Sequence, residues 1–181
     1  VDLKDINLNV INNFFNHDTF QLAKEICDDV GVLNSYEIFS GKRCDLKNRY
    51  FITKKSPPHY RELANYVLDE YHYDGILRME VANDTDGFWL KPHNDHPERI
   101  QSIVVYVNGY GPGTTFYFKE EKLTIPWENN KAIQFKTNGL KTYDLSQISH
   151  GVEREKIVDI RSSIIISFVK NWNNLETCYY D

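Results

Sequence analysis

The sequence predicts an α+β protein, mainly β, with two helices packed on one outer face of an antiparallel sandwich or barrel. Three observations carry this expectation. Two stretches before residue 75 repeat their apolar positions at helical spacing. From Ile76 onward, short β-branched or aromatic runs follow one another, punctuated by Gly, Asn and Pro. At 181 residues the chain has the length of one domain with a proper core.

The first helix is expected from Asp18-Thr19-Phe20-Gln21, an N-cap with Gln three positions on, the pattern of a capping box. Phe20, Ala23, Ile26, Cys27 and Val30 then recur at helical spacing, and Gly31 supplies a stop. The second helix opens at Ser56-Pro57, because proline is tolerated in a first turn. Its apolar face is Tyr60, Leu63, Ala64, Val67, Leu68 and Tyr71, and Gly75 ends it. Between the helices, residues 36–40 and 49–53 read as strands. Further strands are expected at 76–81, 88–90, 100–108, 114–118, 132–135 and 162–169. Turns fall at Asp86-Gly87, Asn108-Gly109, Gly111-Pro112-Gly113 and Asn138-Gly139. The expected organisation is a single domain over 1–181. Residues 1–75 support the sheet, 76–169 form the core, and 170–181 are a C-terminal tail.

Composition narrows the function classes. Hydrophobic residues at 41% and charged residues at 26% are ordinary for a globular chain. Mean hydropathy is -0.54, and no run approaches the ~18 apolar residues of a membrane span. The net charge of -5 argues against nonspecific nucleic-acid binding. Three cysteines, Cys27, Cys44 and Cys178, without C-x-x-C spacing argue against a disulfide framework or a structural zinc. They fit reduced thiols in a cytoplasmic protein, and Val1-Asp2-Leu3-Lys4-Asp5 does not read as a signal peptide.

Among six histidines, His93 stands out, in Trp89-Leu90-Lys91-Pro92-His93-Asn94-Asp95-His96-Pro97. Residues i and i+2 of an extended segment share a face, so His93 and Asp95 can offer an imidazole and a carboxylate to one metal. A second histidine from a distant strand would complete the two-His, one-carboxylate set of non-haem Fe(II) oxygenases. His-x-Asp alone is weak: His72-Tyr73-Asp74 is a second occurrence, read as the end of the second helix. The only histidine beyond His96 is His150, so it is the distal ligand if the site exists. Eleven residues on, Arg161 opens an apolar strand on which Arg161, Ser163, Ile165 and Ser167 share a face. A guanidinium on such a face suggests a carboxylate partner, either a ligand or an internal Asp or Glu.

In these residues the chain resembles the Fe(II)- and 2-oxoglutarate-dependent dioxygenases, in particular their prolyl-hydroxylase-like branch. The matching order is His93-Asn94-Asp95, Tyr106-Val107-Asn108, Gly111-Pro112-Gly113-Thr114-Thr115-Phe116, His150 and Arg161. The resemblance covers roughly residues 76–169 and implies a double-stranded β-helix (jelly roll). It implies that His93, Asp95 and His150 hold Fe(II). It also implies that Arg161 pairs with the distal carboxylate of 2-oxoglutarate, joined by Tyr106 and Ser163. The resemblance further implies that O2 is consumed and that succinate and CO2 are released, with ascorbate a further candidate cofactor. The spacing from His150 to Arg161 is slightly long for the branch, so a bulge or longer loop has to absorb it. Ser167 stands where some relatives carry a bulky aromatic.

Two other readings stay open at this level: a non-catalytic jelly-roll binding module, for example for a sugar, and a cupin-type metalloenzyme without 2-oxoglutarate. The substrate could be a small molecule, a sugar or a peptide side chain. Lys91, His96 and Arg99 flank the site and read as a solvated rim. Trp89 and Trp127 suit ring stacking or plain packing, and Tyr71 and Tyr73 read as helix-end packing.

Overall fold

In the computed structural model, residues 8–31, 38–39, 43–44, 49–118, 120–135 and 148–180 are described. The turn expected at Asn138-Gly139 lies outside them, as do most of residues 36–40.

The first helix, α1, runs His17–Val30. Its cap is Asn16, whose side chain accepts from the Thr19 amide, and not Asp18, which already sits in the first turn. Asp18 there still complements the positive helix end. Thr19, Ala23, Ile26, Cys27 and Val30 are its buried stripe, and Gly31 (φ 58°) stops it. The second helix, α2, runs Pro58–Glu70 and buries Tyr60, Leu63, Ala64 and Val67. It ends at Tyr71, short of Gly75, so His72 and Asp74 lie beyond it in the connection to the next strand. Leu68, expected on the apolar face, is exposed.

Twelve strands are present among the described residues: β1 (Leu8–Ile11), β2 (Ile38–Phe39), β3 (Arg43–Cys44), β4 (Arg49–Ile52), β5 (Ile76–Asp84), β6 (Leu90–His93), β7 (Arg99–Tyr110), β8 (Thr114–Phe118), β9 (Glu121–Ile125), β10 (Ala132–Phe135), β11 (Ile148–Val152) and β12 (Val158–Val169). They form a six-stranded sheet, β1-β10-β7-β12-β5-β4, a four-stranded sheet, β6-β11-β8-β9, and the small β2-β3 pair. All the pairings are antiparallel. This is the double-stranded β-helix, with both helices on the outer face of the larger sheet. That sheet takes an edge strand at each side, β1 and β4, from before residue 76.

Strand alternation sorts the side chains. On β5, Leu77, Met79 and Val81 join the helices in the main core; on β7, Ile103, Val105 and Val107 do; on β12, Ile164, Ile166 and Phe168 do. Fully burying each such side chain contributes about 1.5–3 kcal/mol. The opposite faces of these strands look between the sheets. A second cluster, Leu8, Tyr106, Phe116, Ile125, Ile133 and Phe135, closes one end of that space. Phe88, Val152 and Ile157 form a third. Tyr71 stacks on Phe14 and Tyr73 packs on Phe168, as helix-end packing requires. Cys27 and Cys178 are buried free thiols, and burial pushes Cys27 up to about 12.

Candidate metal and anion site

A cavity of about 270 Å³ opens between the two sheets. At one end stand His93, Asp95 and His150, whose ligand atoms all lie within 4.8 Å of one another. β6 and β11 pair antiparallel with His93 directly opposite His150, which brings the two rings to 4.5 Å. Gly151 makes this approach possible: a Cβ there would lie 2.4 Å from the Leu90 carbonyl oxygen on β6. Asp95 arrives differently from the i, i+2 expectation. The strand stops at His93, and Asp95 reaches in from the following loop. The Ser102 hydroxyl donates to its Oδ2 (2.8 Å) and Arg99 Nη1 to its Oδ1 (3.2 Å).

The donors are prepared for a cation. His93 Nδ1 bonds the Lys91 carbonyl at 2.8 Å, so that nitrogen carries the proton and Nε2 presents a lone pair. His150 is held down to about 4, mainly by burial; His93 and Arg99 add to the effect and Asp95 opposes it. The ring is therefore neutral at physiological pH, with Phe135 and Phe116 beside it. Burial acts to raise the Asp95 carboxyl, but His150, Arg99, the Ser102 hydrogen bond and His93 bring it below its ordinary value. His150 Nε2 and Asp95 Oδ1 are 3.7 Å apart, too far for a hydrogen bond. Two imidazoles and one carboxylate converging this way suit a first-row divalent ion with open positions. His72 is exposed, and Asp74 is paired with Lys170, so the second His-x-Asp takes no part.

The far wall carries Arg161. It is buried, lines the cavity, and does have an internal partner: Nη1 donates to Asp84 Oδ2 at 2.6 Å, and Nε to the Pro112 carbonyl at 2.7 Å. Its Nη2 makes no hydrogen bond among the described residues. The long spacing from His150 is absorbed by a bulge, since only one step on β7 separates the partners of Val158 and Arg161. Ser163 and Ile165 line the cavity beside Arg161; Ser167 does not, so its small size leaves no room there.

Tyr106 departs from expectation. Its hydroxyl accepts from the Thr114 amide (2.7 Å) and donates to Thr114 Oγ1 (3.0 Å), and it does not line the cavity; Thr114 does. Burial raises its pKa against the Thr114 hydrogen bonds and Arg161, so the phenol stays neutral. Trp127 stacks on Tyr106 at 4.3 Å, and Trp89 joins the Phe88 cluster, so neither lines the cavity. Arg99 is no solvated rim: it bridges Asp95 and Glu80. His96 does line the cavity, with its ring against Trp172, and Lys91 does not.

The sequence reading missed Arg49, Glu80 and Asp84. Glu80, on the cavity wall, is paired with Arg78 and Arg99. The available signal was Arg78, Glu80 and Asp84 at even positions of an apolar strand, marking a polar inward face.

No family model and no curated protein matches this sequence. Solved structures do. A Trichoplax adhaerens prolyl hydroxylase in complex with a hypoxia inducible factor peptide fragment superposes with TM-score 0.68 at 15% identity, covering 92% of this chain and 85% of that one. A Pseudomonas putida prolyl-4-hydroxylase gives 0.65 at 15% identity, over 94% and 96%. A viral collagen prolyl hydroxylase from Paramecium Bursaria Chlorella virus-1, solved with 2OG, gives 0.59 at 13%, over 92% and 98%. The likeness spans nearly the whole chain and establishes a shared fold.

Proposed function

We propose that this chain is an Fe(II)- and 2-oxoglutarate-dependent dioxygenase that hydroxylates its substrate. The observation that carries the reading is the convergence of His93, Asp95 and His150 at one end of a cavity whose other wall presents Arg161. The prolyl-hydroxylase structures of the same fold support it. When bound, Fe(II) and 2-oxoglutarate supply the oxidising chemistry, with O2 reduced and 2-oxoglutarate converted to succinate and CO2.

The chain's own residues do the rest. His93 and His150 offer imidazole nitrogens, and Asp95 a carboxylate whose two oxygens are oriented by Arg99 and Ser102. Arg161, with Ser163 and Thr114 alongside, offers hydrogen-bond donors to the distal carboxylate of 2-oxoglutarate. Tyr106 acts one step removed, by holding Thr114 through its backbone amide and its hydroxyl. Phe88, Leu90 and Val152 give the cavity an apolar wall that limits water beside the metal.

The substrate class is a small molecule, a sugar or a peptide side chain. Peptides come first for screening, because the Trichoplax relative holds a peptide fragment. The free buried thiols fit a cytoplasmic setting, and no described helix is long and apolar enough to cross a membrane.

The test is anaerobic addition of Fe(II) and then 2-oxoglutarate, watching for the weak visible charge-transfer band of the chelate. Admission of O2 with ascorbate should then yield succinate. Metal binding without the band would favour a cupin-type enzyme, and no metal binding a non-catalytic binding module.

A further inference from the structure

Resting on the metal site of that reading, we infer that the C-terminal tail is part of the metal centre, with Trp172 a positioning residue for the ligand Asp95. Asp95 lies in the loop between β6 and β7, outside any strand. A carboxylate carried by a loop needs support from elsewhere to keep its angle to a metal. Two routes lead to it from the tail that follows β12.

The first route holds the loop itself. The Lys170 amide donates to the Glu98 carbonyl at 2.9 Å. The half-buried Trp172 ring meets His96, the residue after Asp95, edge to face at 5.0 Å and 73°. The second route runs through charged side chains. The Arg78 guanidinium lies over both the Trp172 and the Phe51 rings, 5.1 and 4.7 Å from their centroids, and its Nε donates to Thr177 Oγ1 at 3.3 Å. Arg78 Nη1 donates to Glu80 Oε1, Arg99 Nη2 donates to the same oxygen at 3.4 Å, and Arg99 Nη1 donates to Asp95 Oδ1 at 3.2 Å. These four side chains are 10%, 8%, 18% and 4% exposed, in the order Arg78, Glu80, Arg99 and Asp95, so salt screens them little. The register adds a link. Arg78 lies opposite Ser167 on β12, and Ser167 opposite Ser102 on β7, whose hydroxyl donates to Asp95 Oδ2. The tail is anchored in its turn: the Tyr179 amide donates to the Leu77 carbonyl at 2.8 Å and its hydroxyl to Asn65 Oδ1 at 2.9 Å, and Cys178 and Tyr179 are buried. Leu77 adjoins Arg78, so tail and guanidinium are fixed at one place on β5. Chain ends fray unless tied down, and only a tied tail can hold an angle at Asp95.

The experiment titrates Fe(II) into the metal-free protein under anaerobic conditions and records the thermal midpoint of the same samples. Trp172→Ala should lower Fe(II) affinity about tenfold, the lower end of the range for groups that orient a ligand. Trp172→Phe should recover most of it, since a ring face remains for the guanidinium. Val67→Ala, on α2 in the main core and away from the cavity lining, supplies the comparison: it should lower the thermal midpoint and leave Fe(II) affinity as in wild type. Trp172→Ala with wild-type Fe(II) affinity, or with a loss no greater than that of Val67→Ala, would overturn the proposal. So would a folded Trp172→Phe as weak as Trp172→Ala. If Trp172→Ala does not fold, Trp172→Leu, which keeps apolar bulk and lacks the ring, decides: wild-type affinity overturns the proposal. A wild-type protein that binds no Fe(II) would instead overturn the metal reading, and this inference with it.

Discussion

The two ends of the cavity are built on opposite principles. At the metal end, His93 and His150 face each other across β6 and β11, in the smaller sheet. Their nitrogens and the Asp95 carboxylate converge without hydrogen bonds to one another, an arrangement that suits a cation. At the arginine end, Arg161, Asp84 and Arg49 come from three adjacent strands of the larger sheet and are already ion-paired. The lesson is that one end presents a donor set that suits a cation, whereas the other is already internally ion-paired. Loss of a side chain should therefore cost function at the first and both stability and function at the second.

The largest expected effect is at the metal end. His93→Ala, Asp95→Ala and His150→Ala should each reduce Fe(II) affinity by more than about a hundredfold, since losing a direct ligand costs more than losing a residue that only orients one. His72→Ala and Asp74→Ala should leave it unchanged. Anaerobic Fe(II) titration checks this, and a His72 variant that lost metal while the His93 variant kept it would reverse the assignment.

Arg161→Ala comes next and should break the comparison open. It leaves Asp84 with one partner instead of two, and breaking a buried pair costs about 3–5 kcal/mol. Because Arg49 remains on Asp84, a value near the lower end is expected from denaturant unfolding. Affinity for 2-oxoglutarate should fall roughly tenfold to a hundredfold with Fe(II) retained. A loss of stability with unchanged affinity would make the residue purely structural.

Gly151→Ala tests whether the metal end depends on close strand approach. The added methyl would push β6 off β11, at a cost of about 1–3 kcal/mol. Fe(II) affinity should drop on the order of tenfold through misplacement of His93. Unfolding and Fe(II) titration of one sample measure both.

A further effect concerns pH in the metal-free protein. His150 titrates near 4 when folded and near its ordinary 6.5 when unfolded. Between those values the unfolded chain binds the extra proton, so stability falls as pH drops from about 6.5 toward 4. Asp95, lowered on folding, contributes a further loss below its ordinary 3.8. The thermal midpoint of His150→Leu should fall less steeply than wild type between pH 6.5 and 4; parallel slopes would discount the burial effect.

What the sequence conveyed depended on how local the cause was. The helical stripes of α1 and α2 are written in apolar spacing, and Thr114–Phe118 and Ala132–Phe135 form as expected. The inward face of Arg161, Ser163 and Ile165 follows from alternation alone. β11 was not legible: Ile148-Ser149-His150-Gly151-Val152 is polar and holds a glycine, and it is a strand because β6 and β8 pair with it on either side. β9, Glu121–Ile125, has an exposed, charged start and is held by β8. The capping residue of α1 moved two positions because Asn16 meets the Thr19 amide first. Asp84 and Arg161 are 77 residues apart, and no pattern near either predicts their pairing.

The place of β12 has a consequence for how the chain is made. It is the last of the described strands, yet it lies between β7 and β5 in the middle of the larger sheet. A nascent chain that has not yet released Val158–Val169 cannot join the two halves of that sheet, and β5 and β7 each wait with an open hydrogen-bonding edge. Such edges invite pairing with other chains. Folding is therefore expected to complete only after synthesis has passed residue 169, with chaperone protection needed most in the interval when the edges exist and the strand between them does not.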